Sequence, residues 1–201
     1  MSEFTVVDLL RHGEPEGGQK FRGAVDDPLS ECGWGQMRAA VGDYRGWEVV
    51  ISSPLVRCAA FARELAEHLE RPLEIAAGFS ELSFGVWESR AVAEVNAAEP
   101  LALARFWRDP VSYPIPRGEP VGDFDRRVGH AWEALLERHR GRHILLVAHG
   151  GVIRMILRRL LDMPLQRIWR LEVPYAAVSR IRRHCDPESE PHLVFHNGRL
   201  A

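Results

Sequence analysis

The chain has 201 residues, of which 46% are hydrophobic, 28 are acidic and 26 are basic. This length suits one domain with a substantial core, and a formal net charge of −2 gives no broad basic surface for nucleic acid. No window of 18 apolar residues occurs, and residues 1–10 hold two acids and no basic residue, so we expect neither a membrane span nor a secretory signal. Three cysteines without a CxxC pair predict reduced thiols and a cytoplasmic protein.

Predicted strands and helices alternate along the first half of the chain. The apolar segment 4–10 predicts a first strand, and Ser30 is a good N-cap for a helix that runs to about Tyr44. A second strand is predicted over 47–51. The next helix is predicted to begin at 52–54, with proline in its first turn, and to run to about residue 69, before a third strand over 72–75.

Residues 79–120 break this alternation with five prolines and only two short helical stretches, at 91–98 and 101–107. We interpret the segment as an insertion packed over one end of the sheet. Regular elements then return: a helix over 121–139, a continuous apolar strand over 143–148, and a helix over 152–161. The tail from 169 to 195 predicts two or three strands, antiparallel at the sheet edge.

Strands that alternate with helices indicate an α/β fold. We therefore predict a three-layer sandwich with a mostly parallel central sheet and a small insertion over the active site, formed by residues 1–201 as a single domain.

Two histidines follow predicted strands directly: His12 follows the first strand, and His149 follows the strand at 143–148. Arg11 precedes His12, Arg57 falls in the first turn of the second helix, and Glu81 follows the third strand. Because loops at the carboxyl ends of parallel strands meet around one crevice, we expect these five side chains to share a site.

This set of residue types suits phosphoryl transfer without a metal. Arginine forks match phosphate oxygens, and a neutral imidazole is a nucleophile near pH 7. A nearby carboxyl group can protonate a leaving alkoxide, and a second imidazole can donate a hydrogen bond to the developing charge.

Five segments together resemble the histidine phosphatase superfamily, the phosphoglycerate-mutase-like proteins, and they occur in the expected order at residues 11–14, 23–36, 52–57, 81–88 and 148–154. The resemblance implies that His12 is the phosphorylated nucleophile and that Glu81 is the proton donor. It also implies that three side chains hold the phosphoryl group, namely Arg11, Arg57 and His149.

Substrate binding is also expected from Arg22, Gly23 and Gly150. The family often has an asparagine shortly after its first motif, and this chain has none there. Gln19 or a backbone amide of the Gly17–18 pair could substitute for it.

The run from 14 to 29 resembles the α-ribazole phosphatases of cobalamin synthesis more than the mutases. This implies a phosphomonoesterase for α-ribazole 5′-phosphate, or for the cobalamin phosphate that carries the same group. The alternatives are a phosphatase of other or broad specificity, a phosphoglycerate mutase, and a binding protein without turnover. We expect a small phosphorylated metabolite as the partner, no metal and no other cofactor. A homodimer is compatible with the pattern but not required by it.

Several residues have structural alternatives to a functional role. Arg57 could be a surface arginine in an ion pair, and Glu88 is a second candidate for the acid. Glu14 is expected to bond the loop backbone, and Cys58 to be a small buried residue.

Trp87 and Trp107 are expected in the core, with an aromatic wall for a base-like substrate as the alternative. Two histidine pairs have a metal-like spacing, 139/143 and 192/196, but they lack supporting ligands.

Overall fold

Six strands form one sheet in the computed structural model, which describes residues 2–186 and 188–200. In chain order the strands are β1 (Phe4–Arg11), β2 (Val49–Ser52), β3 (Leu73–Ile75), β4 (His143–Ala148), β5 (Val178–His184) and β6 (His192–Gly198). Across the sheet the order is β3-β2-β4-β1-β5-β6. Strands β1 to β4 are parallel, whereas β5 runs antiparallel to β1 and β6 antiparallel to β5.

The helices alternate with the parallel strands as predicted. They are α1 (Glu31–Val41), α2 (Val56–His68), α3 (Val92–Ala98), α4 (Pro100–Arg108), α5 (Val121–Arg138) and α6 (Gly150–Leu160). Short 3-10 helices occupy Ala77–Phe79, Gly85–Trp87 and Leu165–Arg170. Within the described ranges, no helix has both the length and the apolar character needed to cross a bilayer.

Both faces of the sheet are covered by helices. Along β4, Ile144 and Leu146 belong to the core cluster that includes residues of α5 and α6, whereas Leu145 and Val147 belong to the cluster that includes residues of α1 and α2. All four side chains are fully buried, which explains why this strand is continuously apolar. The predicted α/β sandwich with a mostly parallel sheet is confirmed.

Two predicted helix boundaries were wrong, for identifiable reasons. Helix α1 begins after the predicted N-cap Ser30 but ends at Val41, because Gly42 adopts a positive φ of 48°. Helix α2 begins at Val56 rather than at the proline turn. The amide of Val56 donates to Oδ1 of Asp26 at 2.6 Å, so a carboxylate thirty residues away caps the helix.

The tail departs from the prediction at its start. Trp169 lies in a 3-10 helix and not in a strand, and only β5 and β6 form in the described part of the tail. Their antiparallel placement at the sheet edge agrees with the prediction.

The register of the sheet brings the two histidine loops together. Strands β1 and β4 are neighbours, with Arg11 opposite Ala148. The next residue of each chain segment is a histidine, and the amide of His12 donates to the carbonyl of Ala148 at 3.0 Å. His12 and His149 therefore leave the same edge of the sheet side by side.

Candidate active site

A cavity of about 530 Å³ opens at this carboxyl edge of the sheet. Its walls include seven of the predicted site residues, namely Arg11, His12, Arg22, Gly23, Arg57, Glu81 and Gly150. His149 lies immediately behind, fully buried, with its ring centroid 5.2 Å from that of His12. The sequence therefore predicted correctly that residues from four separate loops would meet.

His12 is 5% exposed, and its Nδ1 lies 2.7 Å from the carbonyl oxygen of Gly13. A carbonyl oxygen can only accept, so Nδ1 carries the proton and the lone pair is on Nε2. Burial lowers the pKa of His12 well below 6.5, and the charges of Arg11 and Arg57 lower it further. At neutral pH the ring is therefore a neutral imidazole with Nε2 available as a nucleophile.

His149 is the N-cap residue of α6, and its Nε2 lies 2.7 Å from the hydroxyl of Ser53. Burial lowers the pKa of His149 well below 6.5, and Arg57 and His12 add to this effect. The second imidazole is thus also neutral, and Ser53, which the sequence analysis did not assign a role, fixes its orientation.

The two arginines are held by backbone carbonyls. Arg57 is 1% exposed and donates from Nη1 to Val25 at 2.7 Å and from Nη2 to Gly23 at 2.9 Å. Arg11 donates from Nη1 to Val173 at 2.6 Å. The alternative of Arg57 as a surface ion pair was wrong. The hydrogen bonds of both guanidinium groups are thus made to neutral carbonyl oxygens.

Each of these arginines also retains an unused donor. Nε of Arg11 and Nε of Arg57 are buried and have no hydrogen-bond partner in the part of the chain that the structure describes. A buried donor without a partner costs free energy, about 1–3 kcal/mol, unless a ligand satisfies it. Together with the two positive charges, this indicates an anion site between the arginines.

Glu81 faces the same cavity from the loop after β3. Its Oε1 accepts from the amide of Leu82 at 2.9 Å, and its Oε2 accepts from the amide of Gly151 at 3.1 Å, in the first turn of α6. A Cβ atom on residue 151 would lie 2.2 Å from Oε1 of Glu81, so only glycine permits this approach. The carboxyl group is therefore fixed beside the anion site.

The predicted substrate-binding residues are not equivalent. Arg22 lines the cavity, but its Nη2 donates to Glu16 and Gly18 and its Nε to Asp27, so it also ties the 15–23 loop together. Gly23 contributes its carbonyl to Arg57 and has a φ of 53°, which favours glycine.

Gly150 lies on the wall next to Arg11. Gln19 is exposed and is not on the wall of the cavity, where its neighbour Lys20 lies instead.

Glu88, the alternative acid, and Cys58, the thiol next to Arg57, have contacts that serve the fold. Oε1 of Glu88 accepts from the amides of Ala24 and Phe84, so this carboxylate joins two loops away from the cavity wall. Cys58 is fully buried, and burial raises its pKa, so the thiol stays protonated. Glu14 contributes its backbone to the loop: its carbonyl accepts from Ser30 at 2.9 Å.

No group of three or more potential metal ligands occurs among residues 2–186 and 188–200. Three of the four histidines in the pairs noted in the sequence have other partners. His139 lies 3.3 Å from Glu74 and His143 lies 2.9 Å from Asp8. His196 contacts the hydroxyl of Ser179 through Nδ1 and the carbonyl of Glu172 through Nε2.

Several cavity residues were not assigned a role from the sequence, among them Lys20, Arg154, Trp169 and Tyr175. Arg154 is one helical turn after Gly150 on α6, so helical periodicity could have identified it. The ring of Tyr175 lies 4.2 Å from Cζ of Arg11. Trp169 and Tyr175 reach the cavity only through the fold of the tail, for which no local pattern exists.

The geometry therefore places a neutral imidazole and a carboxyl group beside two arginine side chains, an arrangement suited to phosphoryl transfer through histidine. Residues 7–194 match the family model described as histidine phosphatase superfamily, branch 1, so this chain belongs to that superfamily. The predicted family is confirmed.

Some of the curated relatives are longer proteins. The chain is 32% identical to a bifunctional protein of Mycobacterium tuberculosis over 98% of its own length, but it spans only 55% of that protein. It is 29% identical to the adenosylcobalamin/α-ribazole phosphatase of Salmonella typhimurium, over 86% of this chain and 88% of that one.

A solved structure, the α-ribazole phosphatase of Shigella flexneri, superposes with a TM-score of 0.83 at 25% identity, covering 97% of each chain. Proteins named as phosphoserine phosphatase and phosphoglycerate mutase also match at similar identity. The suspected likeness to the α-ribazole phosphatases is thus confirmed, while the names of the relatives point to several substrates.

Proposed function

We propose that this chain is a metal-independent phosphomonoesterase that works through a phosphohistidine on His12. The observation that carries the proposal is the placement of a neutral, buried imidazole against two arginines that have neutral partners and unused donors. A phosphate dianion supplies the missing acceptors and the missing negative charge.

In the first step, Nε2 of His12 attacks phosphorus, and the bond from phosphorus to the ester oxygen breaks. Glu81 gives its proton to the leaving alkoxide, because it is the acidic side chain on the wall of the cavity. Arg11, Arg57 and His149 stabilise the charge that develops on the phosphoryl oxygens.

In the second step, the Glu81 carboxylate takes a proton from water as the water oxygen attacks phosphorus. The bond from phosphorus to Nε2 breaks, inorganic phosphate forms, and the lone pair returns to His12. The hydrogen bond from Nδ1 to Gly13 keeps the same tautomer through both steps.

We further propose α-ribazole 5′-phosphate, or the cobalamin phosphate that carries the same group, as the substrate. The support is the sequence between residues 14 and 29, together with the 29% identity to a phosphatase named for this substrate. A phosphatase of other or broad specificity is the second candidate, since relatives of similar identity are named for other phosphoesters.

The test is phosphate release in EDTA from three esters: α-ribazole 5′-phosphate, p-nitrophenyl phosphate and 3-phosphoglycerate. The His12→Ala variant serves as the blank. We expect a kcat/KM for the ribazole ester far above those of the others. A flat profile would retain the phosphohistidine chemistry and remove this substrate, and no release from any ester would contradict the proposed activity.

A further inference from the structure

The cavity has two unlike halves. One half carries the phosphate chemistry of Arg11, His12, Arg57 and Glu81. The other half is rich in apolar side chains, namely Phe21, Phe84, Val92, Trp107 and Trp169, and Cζ of Arg154 lies 5.5 Å from the ring centroid of Trp169. A charged phosphoryl group gains no favourable contact from apolar side chains. We therefore expect this half to face the alcohol part of the ester.

The aromatic rings of this second half form a continuous, ordered surface. Phe21 and Trp107 lie nearly parallel, with centroids 5.9 Å apart and planes at 24°. Trp107 meets Trp169 edge to face at 4.9 Å and 89°. Behind them Phe106, which is 1% exposed, contacts both tryptophans at 5.2 and 5.4 Å. The rings are therefore held by the core and preorganised for a partner.

Part of this surface is exposed to solvent. Trp107 is 38% exposed and Val92 is 37% exposed, although both lie on the cavity wall. Nε1 of Trp169 is a buried donor without a partner among the described residues. A planar ring that covers Trp107 would remove apolar surface from water, and a ring also meets the offset or edge geometries that aromatic pairs prefer.

We propose that Phe21, Trp107 and Trp169 form a leaving-group subsite that contacts a planar aromatic ring on the substrate alcohol. This inference rests on the proposed phosphatase activity and adds the residues that select the substrate. It limits the favoured substrates to phosphomonoesters of ring-bearing alcohols such as nucleoside-like compounds, and it makes ringless phosphoesters poor substrates.

The test compares two esters that release the same type of hydroxyl group. α-Ribazole 5′-phosphate and methyl riboside 5-phosphate both release a ribose primary alcohol, and only the first carries an aromatic ring. We expect the wild-type kcat/KM to be at least about tenfold higher for the ring-bearing ester. Trp107→Leu should lower that kcat/KM about tenfold and leave the value for the methyl riboside within about twofold.

Two matched variants separate stacking from general damage. Trp107→Phe keeps an aromatic ring and should retain most of the preference. Leu101→Ala removes an apolar side chain from the same helix, 73% exposed and outside the cavity wall, and should change neither ester. An equal loss on both esters in Trp107→Leu, or an unchanged preference, would overturn the subsite.

A binding measurement tests the subsite independently of turnover. In the His12→Ala background, calorimetry should give at least about tenfold tighter binding of the ring-bearing ester, and Trp107→Leu should remove the difference. If the wild type releases phosphate from neither ester but this discrimination holds, the proposed hydrolysis fails and the subsite stands. If both esters are hydrolysed equally well, the subsite fails and the hydrolysis stands.

A second measurement needs no variant. The ring-bearing nucleoside without phosphate should inhibit the wild-type protein at a concentration at least about tenfold lower than methyl riboside. Equal inhibition by both compounds would contradict the aromatic subsite even if Trp107→Leu did not fold.

Discussion

Two buried charged regions share strand β1 and differ in how their polar atoms are satisfied. Asp8 is fully buried and accepts from Trp47 at 2.8 Å, from His143 at 2.9 Å and from Arg180 at 2.7 and 3.0 Å. Three residues later on the same strand, Arg11 is held through Nη1, while its Nε is buried with no partner in the described ranges.

The pKa values of Asp8 and His12 are shifted by different causes. Burial raises the pKa of Asp8, but hydrogen bonds from His143 and Arg180 outweigh it, and the pKa falls below 3.8. For His12, burial and the neighbouring arginines both lower the pKa. Asp8 is thus a charge with its own partners. The site, by contrast, holds two neutral imidazoles beside the positive charges of Arg11 and Arg57.

Buried polar groups therefore have different roles in the two regions. Groups that the chain satisfies by itself contribute to stability, whereas groups that stay unsatisfied impose a cost that a substrate can recover. Changes in the two regions should therefore alter different properties of the protein.

The largest effect is expected from His12→Ala. Because we propose this side chain as the nucleophile, kcat/KM should fall by at least about a thousandfold. The melting temperature should change by only a few degrees, because the ring makes its side-chain hydrogen bond to the carbonyl of the next residue. Phosphate release and circular dichroism check the two outcomes, and wild-type turnover in this variant would refute the nucleophile assignment.

Arg57→Ala should come next. Loss of the buried guanidinium should reduce transition-state stabilisation by about 2–5 kcal/mol, measured as the change in kcat/KM. Arg38→Ala is a suitable control, because Arg38 pairs with Glu64 on the exposed surface. A reduction below about 0.5 kcal/mol for Arg57→Ala would mean that this residue does not hold the phosphoryl group.

Asp8→Ala should act on stability instead. It leaves Arg180 and His143 without their shared acceptor, and breaking a buried ion pair in this way costs about 3 kcal/mol or more. The contribution of Asp8 is complete above pH 3.8 and is lost as the pH falls through its lower folded pKa, so urea unfolding at neutral pH reports it in full. The kcat/KM of the folded fraction should stay within about twofold. A loss of activity without a loss of stability would contradict the assignment of Asp8 to the fold.

A smaller effect concerns pH. Because the folded pKa values of His12 and His149 lie well below 6.5, the unfolded chain binds protons that the folded protein does not bind. The free energy of unfolding should therefore decrease as the pH falls below 6.5, until the folded pKa values are reached. Imidazole NMR shifts of the unliganded protein measure these values directly, and a midpoint at or above 6.5 for His12 would show that the ring is not held neutral.

The smallest effect is expected from Gln19→Ala. The side chain is exposed and lies outside the cavity wall, so kcat/KM should change by less than about twofold. A loss greater than about tenfold would instead support the role that the sequence analysis expected for Gln19 in place of the missing asparagine.

Much of the site was predictable because strand ends follow a simple rule. Apolar runs located β1 and β4, and the carboxyl ends of neighbouring parallel strands must meet, so His12 and His149 could be placed together. The cap on α2 could not be predicted, since Asp26 comes from a distant loop. The tail from Trp169 onward was predicted as strands, and only the packing of the tail shows that Trp169 lies in a 3-10 helix at the cavity.

The central claim is tested most directly by locating the phosphoryl group on the enzyme. The Glu81→Gln variant, mixed with p-nitrophenyl phosphate and quenched in alkali, should accumulate the intermediate, because this leaving group needs little proton donation while the attack of water loses its base. Tandem mass spectrometry should then find the phosphoryl group on His12. A phosphoryl group on another residue, or no burst of p-nitrophenol from a variant whose wild-type parent turns over, would contradict the phosphohistidine account.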